Sequence, residues 1–155
     1  MNGRDGVRAI VVAALAAAAC AGRAPGPGLG EIMTLSQMRH AKLWWAGEAQ
    51  NWELAAYELD ELQEGLDDVV RFHPTHKNAP LPLSDLVPKI MGEPVRQARR
   101  AVESKDREAF VVAYDGLTRA CNGCHQATSF GFNVVRRPTD PSWFGNQDFA
   151  APAKR

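Results

Sequence analysis

The sequence predicts an all-α fold, a four-helix bundle. Three observations carry the prediction: four segments whose apolar residues recur every three or four positions, Asn51 and Asp106 placed as helix N-caps, and no alternating β-branched run ahead of residue 121. About 125 residues follow the first 30, enough for one domain around one core.

The first segment, about 33–49, sets Met38, Ala41, Trp45, Ala49 and then Trp52 along one side. Asn51 caps the second helix, which Trp52 and Glu53 open and which runs to about Phe72. Its inward stripe is Ala55, Leu59, Leu62, Leu66 and Val69. Glu58, Asp60, Glu61, Glu64, Asp67 and Asp68 crowd the rest of its surface and read as a solvated acidic face. His73 to Pro82 is too polar and too interrupted to continue a helix.

A third helix is expected over about 84–103, with Leu86, Ile90, Val95, Ala98 and Val102 inward. Pro88 suits a first turn, whereas Gly92-Glu93-Pro94 predicts a kink or a break. Arg96, Arg99, Arg100, Lys105 and Arg107 make this region basic, a natural surface partner for the acidic second helix. Asp106 caps the fourth helix. Its stripe, Phe110, Tyr114, Leu117, Cys121 and Cys124, steps by four, three, four and three, the spacing of a bundle seam.

That stripe ends in Cys121-Asn122-Gly123-Cys124-His125, the C-x-x-C-H arrangement that attaches a c-type haem. With three cysteines and four histidines in 155 residues, a chance match is expected on the order of once in a thousand such sequences. On a helix the i, i+3 and i, i+4 spacings bring all three side chains to one face. The thiols of Cys121 and Cys124 can then add across the haem vinyl groups, while His125 ligates the iron from the proximal side. One covalent haem c is the expected cofactor, seated between helices because its cysteines continue the core stripe. A propionate contact from one of the third-helix arginines accompanies this expectation. Zinc is the alternative use of two cysteines and a histidine, but the chain has no second C-x-x-C, and His73 with His76 make a poor substitute. A thioredoxin-like pair lacks its strand–helix–strand setting.

The ends of the chain address location. Arg4 and Arg8 followed by the apolar run Ala9 to Ala19 read as an export signal over residues 1–20, too short to span a bilayer. Cys20 is left over once the haem has taken two cysteines. It stands where lipoproteins are lipidated, and cleavage after an Ala-x-Ala is the other reading. Residues 21–32 are expected to be a flexible linker, 33–128 the helical domain and 129–155 an extended tail whose aromatics cover apolar surface. Residues 1–20 hold two of the 18 basic and one of the 18 acidic residues, so the remainder is close to neutral. That balance, without a basic surface interleaved with aromatics, argues against nucleic acid as a partner. A membrane would be met only through a lipid on Cys20.

A four-helix chain with its haem motif near the end of the last helix resembles the bacterial cytochrome c-prime and c-556 class. The segments His40-Ala41-Lys42-Leu43-Trp44-Trp45-Ala46-Gly47, Asn51-Trp52-Glu53-Leu54-Ala55 and Ala120 to Gln126 are also similar to a group of exported bacterial c-type cytochromes. The resemblance covers about 33–126. It implies a periplasmic or membrane-tethered protein of the cell envelope with Cys121, Cys124 and His125 holding the haem. Bundles of this type often pair, so a homodimer is one expected assembly.

For the distal side of the iron, Met33, Met38 and His40 are the first-helix candidates. Helical geometry leans to Met38 and the resemblance to His40. The function expected first is electron transfer with a redox partner protein. The alternative is binding or sensing of a small gas at an open distal position. An enzymatic role is not expected; peroxidase-like turnover, with His40 as the acid–base group, ranks last.

Overall fold

The computed structural model describes residues 26–77 and 79–152, so the expected signal segment and the lipidation candidate Cys20 lie outside the described residues. The fold is all-α: four long helices and, among the described residues, no strand, consistent with a four-helix bundle. Helix α1 spans Leu29–Glu48, α2 Trp52–Phe72, α3 Leu83–Ser104 and α4 Arg107–Ala127; a short 3-10 turn, Pro141–Phe144, follows. Each long helix packs on its sequence neighbour, and α1 meets α4 over a short stretch only.

The two expected caps are present. Asn51 accepts from the Leu54 amide at 3.2 Å, and Asp106 accepts from the amides of Glu108 and Ala109 at 2.9 and 3.0 Å. Such a cap contributes about 1 kcal/mol by satisfying amides that the helix leaves open. Helices α1 and α3 end on residues with positive φ, Gln50 at 54° and Lys105 at 56°, and Ser129 at 65° closes the turn after α4. These left-handed residues let the next amide bond back into the helix, as Asn51 does to Ala46 at 2.9 Å and Phe130 to His125 at 2.7 Å.

Two boundaries differ from the sequence reading. Helix α1 begins at Leu29, inside the expected linker, because Ile32 is a buried core residue. Helix α3 runs unbroken through Pro88 and Pro94, each of which removes one backbone hydrogen bond. Its buried face, with Val87, Met91, Val95, Ala98 and Val102, supplies the burial that offsets those losses.

The inward face of α1 is also different. Its buried residues include Ile32, Ser36, His40, Leu43 and Gly47, whereas Met38 and Trp45 are only half-buried. At 100° per residue, Met38 points about 160° away from His40 around the helix axis. In contrast, the α4 stripe holds: Phe110, Tyr114 and Leu117 are fully buried, and Cys121 and Cys124 pack partly buried against the same core. Gly47 lets α1 approach that stripe, since a Cβ there would collide with the Phe110 ring.

One member of the expected acidic face is inside. Glu58 is 0% exposed and sits between Lys42, at 2.8 Å, and Arg39, at 3.4 Å, which also reaches Glu61 at 2.7 Å. The basic residues around α3 serve the surface. Arg99 crosses to Asp60 at 2.6 Å on α2, while Arg96 and Arg100 pair with Glu93 of their own helix and Arg107 with Glu48 of α1.

Candidate functional site

Where α1 and α4 separate, the bundle opens into a mostly apolar cavity of about 420 Å³. That volume lies within the roughly 300–1,000 Å³ of cofactor and small-molecule sites. Leu62, Leu66 and Val69 of α2 with Val87 and Met91 of α3 form its apolar back. Helix α1 contributes Met33, Gln37 and His40, and α4 contributes Cys121, Cys124 and His125. The three residues of the C-x-x-C-H motif therefore open onto one cavity, as their helical spacing predicts. Met38 does not line it. Among the described residues, no arginine or lysine lines it.

Cys121 and Cys124 are free thiols. Burial, with a smaller effect from neighbouring Cys124, pushes the Cys121 thiol up to about 12, and burial raises Cys124 as well. This is the reverse of the depressed thiol that a dithiol redox motif uses. Among the described residues, no three His, Cys, Asp or Glu side chains converge as a metal-ion cage. Among those residues the donor set of a closed zinc site is not assembled. Two thiols and an imidazole at the mouth of an apolar cavity do fit a covalently held haem.

His125 is fixed by the chain that follows α4. Its Nδ1 lies 2.6 Å from the carbonyl oxygen of Asn133, which can only accept, so Nδ1 carries the proton and Nε2 keeps a free lone pair. The segment turns back at Thr128, whose hydroxyl donates to the Cys124 carbonyl at 2.8 Å. It then runs along α4 past Asn122, and Arg137 joins Asp115 at 2.6 Å while lying 4.3 Å from the Trp44 ring centroid. Further on, the Asn51 side chain donates to the Ala150 carbonyl at 3.0 Å, and Phe149 packs on the core. The aromatics of this segment are divided. Phe130 lines the cavity with its ring tilted against that of His76, centroids 5.4 Å apart, whereas Phe132 and Trp143 are 82% and 90% exposed.

His40 sits on the wall formed by α1 and is 2% exposed. The Thr118 hydroxyl donates to the Tyr114 carbonyl at 2.9 Å, so it accepts from His40 Nε2–H, also at 2.9 Å. His40 Nδ1 is then the acceptor for the Tyr114 hydroxyl at 2.9 Å. Both ring nitrogens are occupied, and burial lowers the imidazole to about 4, which keeps it neutral. The same burial raises the Tyr114 phenol above its ordinary range. Met33, two turns before His40, is the α1 donor that lines the cavity with a free thioether. Met33 is one of the three first-helix candidates of the sequence, but the mixture of polar Ser36 and His40 with apolar Ile32 and Leu43 on this face gives no stripe that would favour it over Met38.

No protein-family model, no curated protein and no solved structure matches the chain.

Proposed function

We propose that the chain is an exported c-type cytochrome of the cell envelope, carrying one covalent haem and passing electrons to a redox partner protein. The observation that supports this most strongly is the opening of Cys121, Cys124 and His125 together onto one apolar cavity. Bound there, haem supplies one-electron chemistry at a potential set by its axial ligands, its burial and the hydrogen bonds around it.

The protein's own residues prepare that position. Cys121 and Cys124 tether the cofactor, and their place on the buried stripe of α4 holds the tether rigid. His125 offers Nε2 because its Nδ1 proton is committed to Asn133. The apolar residues of α2 and α3 exclude water. On the α1 wall Met33 would be the residue free to ligate the iron, because His40 would first have to abandon a buried hydrogen bond.

A second reading, a gas-binding or sensing protein, is favoured by the same hydrogen bonds on His40. With that imidazole held in place, a Met33 that stays in hydrocarbon packing leaves the distal position open. The test of the shared premise is intact-protein mass spectrometry after expression with c-type haem maturation machinery. The chain is expected to gain the mass of one haem, retained on denaturation and lost in Cys121→Ala/Cys124→Ala; a wild-type chain without that gain refutes the proposal.

A further inference from the structure

The two residues between the haem cysteines are ordinarily read as spacers, but here the first of them holds a second strand of chain. The Asn122 carboxamide pairs with the backbone of Val135 in both directions. Its Nδ2 donates to the Val135 carbonyl at 2.8 Å, and its Oδ1 accepts from the Val135 amide at 2.8 Å. A carboxamide used in this way imitates one rung of a β-ladder, fixing the position and direction of the chain it grips. Two residues before that rung, the Asn133 carbonyl receives the Nδ1 proton of His125 at 2.6 Å. Asn122 and His125 are an i, i+3 pair on one helix, so the rung and the carbonyl share one rigid support. Beyond the rung, Arg137 ties the same segment to Asp115 and Trp44. Phe132 and Val134, the side chains flanking Asn133, are largely exposed and give it little anchorage.

From this geometry we infer that Asn122 is a positioning residue that sets the reduction potential of the bound iron by holding the Asn133 carbonyl against His125; the inference rests on the cytochrome reading above. A carbonyl that accepts the Nδ1 proton makes the imidazole a stronger donor through Nε2 and favours the ferric over the ferrous state. Loosening the segment weakens that bond and raises the potential.

The test uses the full haem-loaded protein and two variants that break the rung from opposite sides. Asn122→Ala removes both side-chain partners, and Val135→Pro removes the amide donor while leaving the whole haem motif intact. The readouts are the midpoint potential by spectroelectrochemistry and the solvent exchange of the His125 Nδ1 proton by NMR. Both variants are expected to move the ferric–ferrous equilibrium roughly tenfold toward ferrous and to speed the proton exchange. Haem-loaded variants with unchanged potential and exchange would overturn the inference and make Asn122 a tether alone. A wild-type chain that takes up no covalent haem would instead overturn the cytochrome reading, so the two failures are distinguishable.

Discussion

Tyr114 of α4 donates its phenolic hydrogen to His40 Nδ1 of α1 across 2.9 Å, beside the cavity and out of reach of bulk water. The same hydroxyl lies 3.0 Å from the His40 carbonyl, and the two rings sit 4.5 Å apart. This pair joins α1 to α4 beside the cavity, as Gly47 against Phe110 does further along the two helices.

Tyr114→Phe keeps the ring and removes the donor, leaving the buried His40 Nδ1 without its hydrogen-bond partner. The expected loss is about 1–3 kcal/mol in urea unfolding, the cost of an unsatisfied buried group.

The same burial makes stability depend on pH. His40 titrates near 4 in the folded chain and near 6.5 when unfolded, so below about 6.5 the unfolded state binds a proton that the folded state refuses. Stability is full above that pH and falls as pH drops from about 6.5 toward 4, by roughly 3 kcal/mol in all. Unfolding curves measured across this window should show that slope in the wild type and a shallower one in His40→Gln.

Gly47→Ala should be destabilising although alanine is the better helix former. Its Cβ would enter the space of Phe110, a fully buried ring that also contacts Trp44 and Trp52. Overpacking of this kind costs about 1–3 kcal/mol. In a double-mutant cycle Phe110→Leu should recover part of the loss, and strict additivity would show that the two positions do not meet.

How much of this was legible in the sequence follows from what each helix buries. Helix α4 could be read directly, because Phe110, Tyr114, Leu117 and the two cysteines are apolar and fall at bundle spacing. Helix α1 could not. It buries Ser36, His40 and Gly47, which carry no hydrophobic signal, so the stripe through Met38 and Trp45 drew attention to the wrong side. Glu58 misled for a similar reason: its burial depends on Arg39 and Lys42 of another helix, which no local pattern records. The C-x-x-C-H motif named its three residues, but the return of residues 133–135 to His125 and Asn122 is a long-range pairing without a periodic trace.

The assignment of the distal side separates two substitutions. If Met33 supplies the sixth ligand, Met33→Ala should convert a low-spin ferrous spectrum to a high-spin one that binds carbon monoxide. His40→Ala should leave the wild-type spin state in place, because that imidazole is engaged by Tyr114 and Thr118. The opposite pattern would return the ligand role to His40.

The most direct measurement of the central claim is the optical spectrum of the matured protein in its ferric and ferrous forms, followed by denaturation in alkaline pyridine. A cytochrome held by Cys121 and Cys124 should show sharp low-spin ferrous bands and a pyridine spectrum of haem bound through two thioethers that stays with the polypeptide. A chain without haem absorption, or one whose haem extracts into acidified organic solvent, would contradict it.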